Sequence, residues 1–374
     1  MIYAGRMVIV FIFTAFCSSS VFAGSLQPSA PPGPTMKTLD EVEPRVPIHH
    51  SDLPLFISEP NSYYFVEDIH FQKDVLAAIV ITADNVTIDL MGYSLTGTEK
   101  CAYGIYSLER NNIRVCNGTI NTFRENGIHL LQDSHIIEDM RINDTDVGIY
   151  LGDEAKVHNC TVMYPESLGI RVHKNSIVSD CIVRDSHEPT CTSGIHTEEN
   201  CNVFDCVVNR TAANGIVVWS YSRVNGCTVS NAADSGIYSG SGSAVSDCVV
   251  YACDSGIRAE YDGYIHDNNV YDCRYQGIKL GYSSTARRNK IRCSNTAVYG
   301  LYHNMIMENT INQSTTAVEV TGDNFIEANI VKDCSTGLDM TGQDNFYLNN
   351  RIQASVYDYK NESDDNNGGG NILF

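Results

Sequence analysis

The chain has 374 residues, with 45 acidic and 25 basic side chains, a formal net charge of −20 at neutral pH and a pI near 4.8. Nucleic acid attracts basic surfaces, so this charge argues against a nucleic-acid partner and favours solubility. One repeat period runs through most of the chain, which predicts a single domain despite its length.

The first 23 residues have the pattern of a secretory signal. Arg6 precedes an apolar run from Val8 to Phe16, and small residues follow as far as Ala23. The run is shorter than the about 18 apolar residues of a membrane span, and no later run reaches that length. We predict cleavage after Ala23, a secreted or cell-envelope protein and no transmembrane segment. Cleavage removes only one charged side chain, that of Arg6, so the net charge changes from −20 to −21.

Two segments precede the repeats and one follows them. Residues 24–48 are rich in proline, which favours extended backbone, and are predicted to form an extended leader. Residues 49–78 are predicted to cap the first coil, because an uncovered parallel edge invites pairing with other chains. Residues 361–374 are polar and glycine-rich and are predicted to form a loop or thin cap.

Residues 79–360 repeat one unit, most clearly in GIVVWSYSRVNGCTVSNAADS and the following GIYSGSGSAVSDCVVYACDS. Short, β-branched, alternating segments interrupted by glycine indicate strands. At a rise of about 3.3 Å per residue, three strands and their turns use about 20 residues, one turn of a three-sided coil. The sequence therefore predicts an all-β fold, a right-handed parallel β-helix solenoid of about 12 to 13 coils. Each unit opens with a Gly-Ile or Gly-Leu dipeptide, here called a Gly-Ile step. The steps begin at Gly104, Gly127, Gly148, Gly169, Gly194, Gly215, Gly236, Gly256, Gly277, Gly300 and Gly337, and Ala317-Val318 fills the one missing step.

A second repeated position supports this register. It is occupied by Cys160, Cys181, Cys206, Cys227 and Cys248, and then by Asn268, Asn289, Asn309, Asn329 and Asn350. In a coil these side chains stack about 4.8 Å apart, where Asn can hydrogen-bond along the stack and free Cys packs as a small hydrophobe. An Asn ladder at a turn resembles the pectate-lyase-like superfamily of single-stranded right-handed β-helices, over roughly Ile79 to Ile352. That superfamily includes polysaccharide lyases, hydrolases and epimerases.

The cysteines are predicted to be structural. No Cys-x-x-Cys or Cys/His zinc spacing occurs, and stacked parallel side chains rarely meet disulfide geometry. Cys253, Cys273 and Cys334 are predicted to form a second, sparser stack. Cys191 and Cys201 flank the one enlarged unit and are the best disulfide candidates. No metal site or cofactor is firmly implied, and calcium stays open as an alternative.

One outward face is unusual. If Gly-Ile opens a strand, residues two and four after Gly point outward. The second position gives Tyr106, His129, Tyr150, Arg171, His196, Val217, Tyr238, Arg258, Lys279, Tyr302, Glu319 and Asp339. The fourth position adds His173, Glu198, Trp219, Glu260 and Asn304, and the inward position between them holds His303 in one coil. Aromatic faces stack on sugars and Arg binds carboxylates, so we predict a polysaccharide partner along the helix axis. The alternative is an ordinary strand surface, where Tyr and charged residues are common.

These rows suggest one reaction more than others. Glu198 and Glu260 are predicted to lie about 14 Å apart, too far for glycoside hydrolysis. A lyase needs to neutralise a uronate carboxylate and to remove its α-proton. The predicted catalytic residues are His173, His196, Tyr238, Arg258 and Lys279, and the predicted binding residues are Arg171, Glu198, Trp219, Glu260 and Tyr302. Neither an acidic calcium cluster nor an epimerase-type Tyr-Gly-x-Asp-Pro-His run occurs. Two functions stay open: an exported lyase of an acidic glycan, and a non-catalytic carbohydrate-binding or cell-surface scaffold protein.

Overall fold

The computed structural model describes residues 45–186, 192–293, 295–360 and 366–373. The predicted signal, most of the predicted leader and Cys191 lie outside these residues. The described residues form 39 β-strands and one 3-10 helix, His50–Asp52. All strand pairings are parallel and join each coil to the next, so the predicted parallel β-helix is confirmed. Among the residues that the structure describes, no helix is long and apolar enough to cross a membrane.

Each coil contributes to three faces, here called sheets 1, 2 and 3. Sheet 1 carries the Gly-Ile steps and contains Leu55–Ile57, Ala77–Ile81, Tyr103–Ser107, Ser193–Thr197, Asn214–Val218, Ser235–Ser239, Ser255–Tyr261, Gln276–Tyr282, Thr296–Tyr302 and Thr316–Gly322. Sheet 2 contains Val46–Ile48, Ser62–Phe65, Val86–Asp89, Lys156–His158, Ile177–Ser179, Asn202–Phe204, Arg223–Asn225, Ala244–Ser246, Tyr264–His266, Thr285–Arg287, Met305–Met307, Phe325–Glu327, Phe346–Leu348 and Asn366–Gly369.

Sheet 3 contains Ile69–His70, Ser94–Thr96, Ile182–Arg184, Val207–Thr211, Thr228–Ala232, Val249–Tyr251, Asn269–Cys273, Lys290–Cys293, Thr310–Asn312 and Ile372–Leu373. Five longer strands bend from one sheet into the next. They are Ile113–Leu130, Ile136–Leu151, Thr161–Val172, Ile330–Met340 and Arg351–Lys360.

One outward row of sheet 1 passes once through each coil. Its members are Phe56, Val80, Tyr106, His129, Tyr150, Arg171, His196, Val217, Tyr238, Arg258, Lys279, Tyr299, Glu319, Asp339 and Lys360. The solenoid therefore has about 15 turns. The prediction of 12 to 13 was too low, because strands such as Leu55–Ile57 and Arg351–Lys360 join the row without a Gly-Ile step.

The register of one coil differs from the prediction. The Gly300-Leu301 dipeptide was assigned as a step, but Val298 pairs with Ile278 and Tyr299 pairs with Lys279. The step is therefore Ala297-Val298, and Tyr302 pairs with Tyr282 instead of continuing the outward row.

This shift also moves the two residues that follow Tyr302. His303 has φ 60° at an exposed corner, and Gly300 takes the inward position assigned to it. Asn304 was placed on the outward face and is only 1 % exposed. Both errors follow from assigning Gly300 as the start of a step.

The corner between sheets 2 and 3 holds the predicted ladder. Asn268, Asn289, Asn309 and Asn329 each donate from Nδ2 to Oδ1 of the next Asn at 3.0 Å, and Asn371 extends the ladder beyond Asn350. The five cysteines that precede Asn268 are buried free thiols. The residue before each ladder position has a left-handed backbone, as Asp247 (φ 55°) and Asp267 (φ 58°) show, which Asp and Asn tolerate well.

A second ladder, which was not predicted, lies at the corner between sheets 1 and 2. Its members include Ser176, Cys201, Ser222, Ser243, Ser284, Asn304, Asn324 and Asn345. Each side chain accepts the backbone N–H of the preceding coil; Ser284 N donates to Asn304 Oδ1 at 2.9 Å. Cys201 belongs to this ladder, since its Sγ accepts Ser176 N at 3.4 Å. Its predicted disulfide partner, Cys191, lies outside the described residues.

Sheets 1 and 3 pack closely at the Gly-Ile steps, where most coils carry glycine and two carry alanine, Ala297 and Ala317. A Cβ on Gly215 would clash with Val229 Cγ1 of sheet 3 and with the carbonyl oxygen of Gly236 on the next coil. The glycines therefore bring the β-branched side chains of the two sheets into contact. This packing fixes the strands whose outward side chains form the candidate site.

Candidate functional site

Six outward side chains of sheet 1 lie on four successive coils and form what we call the central cluster. They are Tyr150, Arg171, His173, His196, Glu198 and Trp219. The parallel register places Tyr150, Arg171 and His196 in one row, because each faces the next across a strand pair. The other three belong to the neighbouring row, at the end of the same strands.

Tyr150, Arg171 and His173 contact one another directly. The Arg171 guanidinium carbon lies 4.8 Å from the centroid of the Tyr150 ring. The Tyr150 hydroxyl lies 3.3 Å from Nε2 of His173, within reach of a hydrogen bond. Arg171 Nε is buried and has no hydrogen-bond partner among the described residues. The trio thus combines a cation, a phenol and an imidazole at one point on the surface.

Glu198 balances the positive charge of this trio without a tight contact. Its Oε1 lies 3.9 Å from Arg171 Nη2 and 3.8 Å from His173 Nε2. Both distances exceed the about 2.8 Å of a charge-assisted hydrogen bond. The guanidinium of Arg171 therefore keeps donors that an anionic ligand can reach.

His196 and Trp219 form a hydrogen-bonded pair. Trp219 Nε1 donates to His196 Nε2 at 3.2 Å. Burial, and then the charges of Arg171 and His173, lower the pKa of His196 to about 4. His196 is therefore a neutral imidazole at neutral pH, and its Nε2 lone pair is already used by the indole.

One side of the Trp219 ring has no side chain beside it on the next coil. Trp219 N donates to Thr197 O, and Gly240 N makes the equivalent bond to Val218 O, so Gly240 occupies the same position one coil later. Trp219 is 47 % exposed, and Gly240 has no side chain to cover it. We call this space the Gly240 notch; an aromatic face at an open notch is suited to stacking on a sugar ring.

Four other predicted residues form a second group: Tyr238, Arg258, Glu260 and Lys279. Val217, which is buried, separates this group from His196 in the outward row. The Arg258 guanidinium carbon lies 5.3 Å from the centroid of the Tyr238 ring. Burial, followed by a hydrogen bond with Glu260, raises the pKa of Tyr238 to about 12.

Lys279 follows Arg258 on the next coil of this second group. Its Nζ lies 5.9 Å from the ring centroid of Tyr299, a residue that the prediction did not include. The ten predicted site residues therefore divide into the central cluster, this second group and Tyr302.

Tyr302 lies apart from both groups, and its predicted place in the outward row is wrong. It belongs to an exposed stack with Tyr261 and Tyr282, whose ring centroids lie 5.3 and 5.9 Å apart along the stack. The interplanar angles of 10° and 14° mean that the rings cover one another's faces. The stack therefore covers its inner ring faces and presents ring edges and hydroxyls, while the outer face of Tyr302 lies beside Gly322 on the next coil.

A family model described as right handed beta helix region matches residues 66–225 and 214–355. The chain belongs to the right-handed β-helix family. The match confirms both the predicted handedness and the resemblance drawn from the Asn ladder.

A search of solved structures found similar chains at low sequence identity. The periplasmic alginate epimerase AlgG is 11 % identical, with a TM-score of 0.53 over 88 % of this chain and 83 % of that chain. The catalytic unit of the thermostable GH87 alpha-1,3-glucanase from Streptomyces thermodiastaticus strain HF3-3 is 14 % identical, with a TM-score of 0.47 over 84 % and 63 %. The alginate lyase AlyF-OU02 is 12 % identical, with a TM-score of 0.47 over 82 % of each chain. A search of curated proteins found no match.

Two arrangements bear on the chemistry available to this β-helix. The register places Glu198 and Glu260 three coils apart, about 14 Å at about 4.8 Å per coil, beyond the carboxyl separations of glycoside hydrolases. Within the described parts of the chain, no group of three or more His, Cys, Asp or Glu side chains could hold a metal ion.

The sequence did not single out Tyr150, although it placed this residue in the outward row. Its contact with His173 depends on how both side chains cross between adjacent coils, which spacing along the chain does not specify. Tyr299 was missed because of the register error at Gly300. A regular spacing of 20 residues from Gly277 through Ala297 to Ala317 is the signal that could have found it.

Proposed function

We propose that this β-helix is an exported lyase that binds an acidic polysaccharide along sheet 1 and cleaves it at the central cluster. The observation that carries the proposal is the contact between Tyr150 and His173 beside Arg171, whose buried Nε has no partner among the described residues. A uronate lyase needs a cation for the sugar carboxylate and a proton acceptor near it. These side chains supply both.

Binding of the polymer uses both groups of residues. Trp219 stacks on one sugar residue at the Gly240 notch, and Arg171 takes the carboxylate of the sugar that reacts. Arg258 and Lys279 then hold carboxylates further along the chain. From His196 to Lys279 the row covers four coil spacings, about 19 Å in total. His196 positions the indole of Trp219, because its Nε2 accepts the Trp219 N–H.

The proposed reaction is a β-elimination. His173 Nε2 accepts the proton from the carbon that bears the carboxylate, and the electron pair forms a C=C bond as the neighbouring C–O bond breaks. The Tyr150 hydroxyl gives its proton to the departing sugar oxygen, and His173 returns a proton to Tyr150 across their 3.3 Å contact. Arg171 stabilises the charge that develops on the carboxylate in the transition state. The net result is transfer of one proton from carbon to the leaving oxygen.

The comparisons support the class of ligand only at the level of fold. The periplasmic alginate epimerase acts on a polysaccharide and shares the β-helix at 11 % identity. Likeness at this level is compatible with many activities on one scaffold, so the proposal rests on the side chains of the central cluster.

The second candidate is a non-catalytic carbohydrate-binding or cell-surface scaffold protein. One observation favours it: the Tyr261, Tyr282 and Tyr302 rings stack on one another, which strengthens the surface without forming a reactive site. In this case sheet 1 binds the polymer through Trp219 and the cations, and no bond is broken.

One experiment separates the two candidates. The purified protein is incubated with a panel of acidic and neutral polysaccharides, with and without calcium, and the ultraviolet absorbance of unsaturated sugar products is followed. The lyase proposal predicts product from at least one acidic polymer and none from neutral polymers. Binding without product from any polymer would instead support the scaffold.

A further inference from the structure

Sheet 2 carries a groove that lies on a different face from the central cluster. Its volume is about 530 Å³, and its lining includes Phe204, Arg223, Ala244, Ser246, Tyr264 and His266. These residues occupy outward positions on four successive coils, since Asn202–Phe204, Arg223–Asn225, Ala244–Ser246 and Tyr264–His266 pair in register.

Small side chains on one coil create the groove. Ala244 and Ser246 form the floor, because the coils on either side carry larger outward residues. Asn225 is tied to this floor, since its Nδ2 donates to Ser246 Oγ and to Asp247 Oδ2, each at 2.9 Å. The floor is therefore shaped before any ligand arrives.

The wall towards the C-terminal coils is aromatic and held in place. The ring centroids of Tyr264 and His266 lie 4.4 Å apart. His266 Nδ1 lies 2.7 Å from Asp267 Oδ2, and Arg288 binds the same carboxylate at 2.7 Å. Tyr264 is 37 % exposed. Side chains fixed in this way lose little conformational freedom when a ligand binds.

Arg223 supplies a cation at the opposite side of the floor. It is exposed, and no ion pair joins it to another described residue. By contrast, Arg287 of sheet 2 binds Glu308, and Arg288 at the following corner binds Asp267. Asp205 also lines the groove, and its carboxylate can accept hydrogen bonds from sugar hydroxyls. Arg223 thus provides the positive charge and Asp205 the hydroxyl acceptor.

We propose that this groove is a second binding site for an acidic glycan, separate from the chemistry on sheet 1. A uronate unit lies over Ala244 and Ser246 with its ring against Tyr264 and its carboxylate on Arg223. Two sites on one rigid solenoid let the protein hold a long polymer at both faces, which raises its avidity for the polymer above that of either site alone.

The test is calorimetric titration of the full-length mature protein with hexasaccharides of galacturonic acid, of alginate and of neutral cellulose. The wild type is expected to bind an acidic hexasaccharide with two sites per chain. Arg223→Gln should weaken one site by about ten-fold, the scale of a lost charge-assisted pair. Ala244→Phe, which fills the groove without changing the charge, should weaken the same site.

Lys156→Gln is the matched control. It removes the same charge from the same outward row of sheet 2, three coils before Arg223, and should change affinity by less than about two-fold. Trp219→Ala should weaken only the sheet 1 site, so the two proposals fail separately. The groove proposal is overturned if no acidic hexasaccharide binds, if Arg223→Gln and Ala244→Phe both bind as wild type, or if Lys156→Gln has an equal effect.

Discussion

Replacing Asn309 by alanine tests whether the interior ladder holds adjacent coils together. The Asn309 side chain makes four hydrogen bonds: it accepts from Asn289 N and Nδ2 at 3.0 Å, and it donates to Asn329 Oδ1 at 3.0 Å and to Ala286 O at 2.9 Å. Asn289 Nδ2 and Asn329 Oδ1 keep other partners in the variant. Ala286 O also keeps the sheet hydrogen bond from Met307 N, as the parallel register requires. Only the Asn289 N–H is left buried without an acceptor, at about 1–3 kcal/mol.

The expected loss is therefore about 2.5 to 6 kcal/mol, once about 0.5–1 kcal/mol is added for each of the three other hydrogen bonds. Long repeat arrays do not always unfold in one step, so the sharpest readout is hydrogen exchange at the Asn289 amide. A loss of 3 kcal/mol corresponds to at least about a hundred-fold faster exchange, because each 1.4 kcal/mol is a factor of ten. Asn309→Cys should cost less, because cysteine occupies the same ladder from Cys160 to Cys248.

Asn312→Ala is the matched control for this prediction. Asn312 lies on the same coil but at an outward position of sheet 3, and its loss should change stability by less than about 0.5 kcal/mol. If Asn309→Ala left the Asn289 amide as protected as it is in Asn312→Ala, the ladder would not be what holds adjacent coils together.

Three further predictions concern sheet 1. Trp219→Ala should weaken glycan binding by about 1–3 kcal/mol in calorimetry, with nearly unchanged thermal stability; a large fall in melting temperature with intact binding would make it a core residue instead. Arg258→Ala combined with Lys279→Ala should weaken binding of acidic glycans more than neutral ones, and equal losses would contradict the role of charge. His196 should titrate near pH 4 by NMR, because burial keeps its imidazole neutral, and a midpoint near 6.5 would contradict this. Since this pKa lies below the unfolded value, His196 should make the fold less stable as pH falls from about 6.5 towards 4.

Much of the fold could be predicted from the sequence, because successive coils of similar structure place similar residue types at equivalent positions. The Gly-Ile steps mark sheet 1, and the ladder from Cys160 to Asn350 marks one corner. The second ladder was missed because its members change from Ser to Cys to Asn, so no single residue type repeats. Each of them only has to accept the backbone N–H of the preceding coil, which several side chains can do.

The register error has a local cause. Gly300-Leu301 matches the step pattern, but Gly300 occupies the inward position that Leu280 holds one coil earlier. The left-handed backbone at His303 marks the end of the sheet 1 strand in this coil. Most such corners hold Asp or Asn, so a histidine at this position does not signal a corner in the sequence. A dipeptide is too short a pattern to fix the register alone.

The candidate site was predictable as a row and not as a set of contacts. Alternation along the strands placed Arg171, His196 and Trp219 outward. The pairing of Tyr150 with His173 and the bond from Trp219 to His196 depend on side-chain conformations across coils. The sheet 2 groove arises from the small residues Ala244 and Ser246, and small residues carry no signal of their own in a sequence.

The most direct test of the proposed lyase compares product formation by the wild type with that of Tyr150→Phe and His173→Gln on the acidic polymer that gives product. Asn312→Ala serves as the control, because it removes an outward side chain of sheet 3, a different face from the central cluster. We expect a loss of rate of about a hundred-fold or more for each of the first two variants, the scale of general acid–base catalysis, with binding of the polymer retained. Wild-type rates from both variants, with the control also active, would show that the Tyr150–His173 pair does not carry the reaction.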